Sequence, residues 1–248
     1  MLHTSFGRLQ KLVEAPATLI ECIVDRLGPT GTLLMPRYVW HLMSGTRPWL
    51  GYTEYFRALP LIDLRSTPAN IGVVPELFRT LDDVEVSISH FWPVSGRGPA
   101  AASLLGGQIA IDHAFGPGSV FARLVDYDVR IVGLGVTLNT TSIAPVTDWH
   151  LGPDHHRNIF TYGPISGAVV DLGGRTHALN VTTMLPEAVR DIKPSRILTD
   201  RLHPGTDFPF VVENGSFFFS YRARLYHETA LAEARKALRQ GHAVPWLS

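Results

Sequence analysis

Between Glu14 and Leu27 the apolar residues Leu19, Ile20, Ile23, Val24 and Leu27 recur at helical spacing. Pro16 stands near the start of this run, where a missing N–H costs nothing. Gly28-Pro29-Thr30-Gly31 ends the helix, and Thr32-Leu33-Leu34-Met35-Pro36 then reads as a short buried strand. This helix–turn–strand order predicts an α/β layer. The same alternation continues along the chain. Val73, Val74, Leu77 and Phe78 give a helix over 69–81 its apolar face, with Asn70 or Ser66 as its cap. Val84–Ile88 alternates as a strand, Pro99–Leu105 reads as a short helix, and Gly116-Pro117-Gly118-Ser119 leads into a helix over Val120–Val125. Val129–Leu134 is a buried strand. Val169–Leu172 and His177–Val181 form a hairpin around Gly173-Gly174, and Phe217–Phe219 is a further strand. Ala223 to about Arg239 is the last helix.

No repeat, low-complexity tract or break in composition divides the 248 residues. One domain over 1–248 is expected, with a smaller subdomain near 150–215. The stretch from Pro36 to Ile62 is irregular and aromatic (Tyr38, Trp40, Trp49, Tyr52, Tyr55, Phe56), which fits either a functional loop or a lid packed on its own core.

Lys and Arg total 22 against 22 Asp and Glu, so no net-positive face for nucleic acid is expected. No apolar run approaches the ~20 residues of a membrane span, and the N-terminus lacks the pattern of a signal peptide. Cys22 is the only cysteine, so no intrachain disulfide is possible and a cytoplasmic protein is the expectation. Cys22 falls on an apolar helix face and is expected to be buried and inert. Arg outnumbers Lys 19 to three, which reflects either coding bias or guanidinium forks that serve phosphates or carboxylates. His150, His155 and His156, with Asp148 and Asp154, match no specific zinc spacing, so no metal is expected.

Four blocks, in order, resemble the antibiotic N-acetyltransferase family, whose best-known members are the aminoglycoside 3-N-acetyltransferases. His3-Thr4-Ser5-Phe6 followed by Gly31–Pro36 is similar to its opening H-S-S-L and G-T-L-x-M-P. Arg65-Ser66-Thr67-Pro68-Ala69-Asn70-Ile71-Gly72-Val73-Val74-Pro75-Glu76-Leu77-Phe78-Arg79 resembles S-T-P-S-x-M-G-x-L-x-E-x-F-R. Ser87–His90 resembles R-S-x-H-P. Phe115–Ser119 through Gly133–Val136 resembles G-x-G-S-P and L-x-L-G-V. The resemblance implies an α/β/α core of the aminoglycoside 3-N-acetyltransferase type and an acyl-CoA-dependent enzyme. It places coenzyme A, or acetyl-CoA, against Thr4, Ser5 and Phe6, and against Ser66, Thr67, Ile71 and Gly72. Arg65 is expected to add a charge-assisted phosphate contact. Relatives carry a helical lead-in before the opening turn. This chain begins at Met1-Leu2-His3, so the lead-in is either absent or the start is incomplete.

The resemblance also implies a histidine base with a glutamate, in a stretch like N-T-S-L-H-x-A-E. The base removes the proton of the acceptor amine, and the carboxylate stabilises the imidazolium. Ala144 stands at the histidine and Thr147 at the glutamate. A relocated pair, Asp148 with His150, is the expected substitute, with His90 in reserve. The expected function is transfer of an acyl group from coenzyme A, or another thioester, to an amine of a small molecule. The alternatives are a repurposed biosynthetic enzyme on the same scaffold and a ligand binder without catalysis. Zero net charge, with Trp40, Trp49, Trp92 and Trp149, favours an acceptor less cationic than an aminoglycoside. The partners expected are this small molecule, with no nucleic acid and no membrane.

Overall fold

The computed structural model describes residues 1–39, 61–107, 113–152, 155, 165–181, 193 and 195–246. Trp40, Trp49, Tyr52, Tyr55, Phe56, Asp154 and His156 lie outside these residues. In chain order the elements are β1 (Leu2–Thr4), α1 (Phe6–Leu9), α2 (Pro16–Leu27), β2 (Leu33–Pro36), β3 (Ile62–Asp63), α3 (Val73–Arg79), β4 (Glu85–Val86) and β5 (Val94–Arg97). They continue with α4 (Ala101–Leu105), α5 (Val120–Asp126), β6 (Arg130–Leu134), α6 (Ala144–His150), β7 (Ile165–Val170) and β8 (Thr176–Val181). The chain closes with α7 (Ser195–Asp200), β9 (Phe210–Glu213), β10 (Ser216–Arg222) and α8 (Ala223–Arg239).

Three sheets form. The first runs β1-β6-β10-β9, with β1 parallel to β6 (His3 opposite Gly133) and the other pairs antiparallel. The second, β2-β5-β4, is antiparallel throughout. In the third, β3 lies parallel to β7 of the β7–β8 hairpin. β1 packs beside β2, so the first two sheets adjoin.

Local chemistry explains several boundaries. Pro16 occupies the first turn of α2, and Gly28 closes it with φ of 66°. Ser119 caps α5, its Oγ accepting the Ala122 N–H at 3.2 Å. Gly98 must be glycine, because a Cβ there would lie 2.3 Å from the Gly31 carbonyl oxygen. One apolar core joins β6 and β10 to α5, α6 and α8 through Phe121, Leu124, Ile131, Val146, Phe219, Tyr226 and Ala230. A second fills the space between β1, β2, α2 and α3, with Leu2, Leu19, Ile20, Leu33, Met35, Val74 and Phe78.

Four readings change. The helix expected over 69–81 starts only at Val73, and its cap is Gly72, not Asn70 or Ser66, because residues before it are held in a turn. The strand over 84–88 shortens to β4. The helix expected over Pro99–Leu105 starts only at Ala101. Cys22 is exposed, since α2 turns Leu19 and Ile20 inward and carries position 22 to its outer side.

Candidate active site

The opening block spans the end of β1 and the start of α1. The Ser5 N–H donates to the Leu134 carbonyl at 3.0 Å, tying the turn to the end of β6. The Thr4 hydroxyl is buried and makes no hydrogen bond among the described residues. Phe6 packs on the second core.

The block from Arg65 to Gly72 is pinned from behind. The buried Arg37 guanidinium donates to the Leu64 carbonyl and, at 2.8 Å, to that of Thr67. Thr67 closes a turn on Asp63, donating its N–H at 2.7 Å and accepting the Asp63 N–H on Oγ1 at 3.2 Å. Glu76 accepts the Ala69 N–H at 2.6 Å and holds Arg79 with both oxygens, while Arg79 donates to the Arg65 carbonyl at 3.0 Å. The Arg65 fork closes on Asp63, which this hydrogen bonding holds down to about 2. Ser66 and Gly72 remain at the surface, and Ile71 is half-buried. Gly72 has φ of 127°, and a Cβ there would meet only Pro75 Cδ, at an ordinary contact distance of 3.8 Å.

Tyr38 joins the two blocks. Its carbonyl accepts the Asn70 N–H at 3.0 Å, and its phenol donates to Ser142 Oγ at 2.5 Å. Ser142 Oγ in turn lies 3.4 Å from Nε2 of His3, the residue before Thr4. The ring of Tyr38 sits edge-on to Trp92 at 4.8 Å. His3 is 4 % exposed, and burial pushes its imidazole down to about 3, so the ring is neutral at ordinary pH. Burial pushes the Tyr38 phenol up. His3 of β1 and Tyr38, just beyond β2, therefore converge on the hydroxyl of Ser142, which follows β6. His3 opens the first quoted block and Ser142 stands two residues before Ala144, but no local pattern pairs residues so far apart.

The stretch of the missing pair forms α6. Pro145 fits its first turn, where no N–H is required. Ala144 and Thr147 are 2 % and 1 % exposed, and Thr147 Oγ1 lies 2.9 Å from Nδ1 of His227 on α8. Burial pushes His227 down to about 4.

Asp148 is fully buried. Its Oδ1 accepts from His155 Nε2 and from Trp246 Nε1, each at 2.9 Å, and its buried Oδ2 has no partner among the described residues. His150 does not reach it. Nδ1 of His150 bonds the Val146 carbonyl one turn back at 2.8 Å, and its ring stands edge-on to His227 at 4.9 Å. Two positions along a helix are about 200° apart, so Asp148 and His150 face different sides. His90 is buried against Phe91, 4.8 Å between rings. The ring of Trp149 lies tilted by 40° against that of His113, 4.7 Å between centroids. The imidazole bonded to Asp148 is therefore that of His155, not that of His150.

A family model described as aminoglycoside 3-N-acetyltransferase matches residues 1–160. Aminoglycoside N(3)-acetyltransferase IV of Salmonella sp is 30% identical over 146 residues, covering 57% of this chain and 49% of the relative. Aminoglycoside N(3)-acetyltransferase III of Pseudomonas aeruginosa is 26% identical over 169 residues, covering 65% of this chain and 60% of that protein. The chain therefore matches about half the length of these relatives. The crystal structure of aminoglycoside acetyltransferase AAC(3)-IVa as the apoenzyme superimposes with a TM-score of 0.67 at 21% identity, covering 95% of this chain and 80% of the other. AAC-IIIb in a binary structure with CoASH gives 0.69 at 20% identity, covering 99% and 91%. The YokD protein of Bacillus subtilis gives 0.73 at 12% identity, covering 93% and 84%. At these identities the superpositions establish the fold, and together with the match over residues 1–160 they show that the chain belongs to the aminoglycoside 3-N-acetyltransferase family.

Proposed function

We propose that the protein transfers an acyl group from a coenzyme A thioester to an amine of a small molecule. The observation that carries this reading is the Asp148–His155 pair. A buried carboxylate holds an imidazole in the region where the family resemblance places its acid–base pair. His155 takes the proton of the acceptor amine, and Asp148 orients the ring and stabilises the imidazolium. Trp246 fixes the carboxylate through its indole N–H.

Coenzyme A, when bound, supplies the acyl carbonyl activated as a thioester. The Thr4 hydroxyl, without a hydrogen bond among the described residues, and the exposed Ser66 and Gly72, linked through Tyr38, fit a polar ligand. Arg65 is committed to Asp63 and contributes positive charge more weakly than a free guanidinium. The acceptor is a small amine less cationic than an aminoglycoside, in keeping with zero net charge and with Trp92 against Tyr38. The alternative of other acyl chemistry on the same scaffold draws on Ala144 and Thr147, whose side chains carry out no proton transfer.

Calorimetry with acetyl-CoA, followed by thiol release across a panel of weakly basic and polycationic amines, tests the reading. Binding with amine-dependent release, greatest for the less cationic amines, is expected. Absence of binding at millimolar acetyl-CoA would overturn it.

A further inference from the structure

We infer that the Ser142 hydroxyl is a catalytic hydrogen-bond donor to the acyl carbonyl oxygen, an oxyanion site built by Tyr38 and His3. The inference rests on the acyl-transfer reading above and assigns a task within it. Three observations carry it. Ser142 lies between the two blocks that resemble coenzyme A-binding segments. Tyr38 bonds it at 2.5 Å and bonds Asn70 of the second block, while His3, 3.4 Å away, precedes Thr4 of the first. Ser142 is half-buried, so it meets both the interior and any bound ligand. It also stands two residues before Ala144, the position of the family histidine.

A serine beside a histidine invites a different reading, that of a nucleophile with its base. The burial of His3 decides against it. Accepting the serine proton would create an imidazolium in a site that already disfavours one strongly. Neutral His3 is instead assigned the tautomer protonated on Nε2, which donates to Ser142 Oγ at 3.4 Å as Tyr38 does at 2.5 Å. Both donors withdraw electron density from the oxygen and leave its single proton free. As an amine adds to the thioester carbonyl, the C=O π pair moves onto oxygen, and this proton binds the developing charge. The pair returns as the C–S bond breaks and the thiolate leaves. Ser142 is unchanged throughout, and no acyl-serine forms. A fixed donor costs no reorganisation at the moment of reaction, and losing one such donor typically lowers kcat by ~10²–10³-fold.

The test reads the carbonyl itself. The infrared stretch of isotope-labelled acetyl-CoA is compared when bound to wild type, Ser142→Ala and Ser142→Thr, with melting temperatures confirming that all three fold. The expected result is a lower frequency on wild type and on Ser142→Thr than on Ser142→Ala. Steady-state kinetics are expected to show kcat reduced by ~10²–10³-fold in Ser142→Ala, with KM for acetyl-CoA nearly unchanged and partial recovery in Ser142→Thr. Equal frequencies in wild type and Ser142→Ala would overturn the inference and leave the acyl-transfer reading standing. An acetyl adduct on Ser142 in the intact mass spectrum would overturn the donor role in favour of the nucleophile. Failure of wild type to bind acetyl-CoA would remove the acyl-transfer reading, and this inference with it.

Discussion

Two substitutions at Asp148 separate its structural role from its chemical one. Oδ1 accepts two buried donors, His155 Nε2 and Trp246 Nε1, and Oδ2 has no partner among the described residues. In Asp148→Asn the amide oxygen retains both bonds, and the amide nitrogen replaces the unpartnered oxygen. Each bond falls from the charge-assisted range of about 1.5–3 kcal/mol to the neutral range of about 0.5–1.5. Removing a fully buried charge offsets part of that loss, so the net cost is within about 2 kcal/mol. At about 2–4 °C per kcal/mol for a chain of this size, Tm falls by no more than about 8 °C. Asp148→Ala strands both donors and costs about 3–5 kcal/mol, or about 6–20 °C. An asparagine, however, offers no charge to the His155 imidazolium, so kcat for acetyl-CoA and amine falls by ~10²–10⁴-fold. Scanning calorimetry and thiol-release kinetics on the same preparations read both quantities. Wild-type kcat in Asp148→Asn would refute the chemical role. Equal melting temperatures for the two variants would refute the hydrogen-bond accounting.

Other expectations follow from the same geometry. His150→Ala removes a ring bonded to its own helix, so it leaves kcat for acetyl transfer near wild type and shifts stability by about 0.5 kcal/mol or less. Loss of activity would return His150 to the catalytic pair. Glu76→Gln weakens the bonds that set residues 65–72 and raises KM for the coenzyme A donor by about tenfold, which is about 1.4 kcal/mol. Burial works against the Glu76 charge, but Arg79 and the Ala69 N–H more than offset it and hold the carboxyl below its ordinary range. Its contribution to stability is therefore full above the unfolded value and is lost as pH falls through the folded value. For His3 the folded value is about 3 against 6.5 unfolded, so the unfolded chain binds the extra proton between those limits. Stability falls as pH drops through that window, by about 2 kcal/mol from His3 alone at pH 5. Denaturant titrations of wild type and His3→Gln at pH 7 and pH 5 check this, the variant losing that part of the slope.

Much of the fold is legible where the signal is local. Proline at the start and glycine at the end delimit α2, Gly173-Gly174 marks the β7–β8 turn, and apolar spacing places α8. The strands β1 and β5 are short and owe their existence to partners elsewhere in the chain, Leu2 to Val132 and Val94 to Pro36, so neither periodicity nor turn residues announce them. The site divides in the same way. Asp148 is conspicuous beside the vacated family positions, but proximity in sequence suggests His150, and helical geometry turns that ring elsewhere. His155 returns to Asp148 only beyond the end of α6, and Trp246 reaches it from near the end of the chain. His3 and Ser142 meet only because β1 and β6 lie side by side and parallel, which no local pattern encodes.

Amine-dependent release of coenzyme A thiol from acetyl-CoA, measured side by side in wild type and His155→Gln, tests the central claim most directly. Wild type is expected to release thiol only when an acceptor amine is present, with His155→Gln slower by ~10²–10⁴-fold. Equal rates in the two proteins would contradict the assignment of His155 as the base, and no amine-dependent release from wild type would contradict acyl transfer itself.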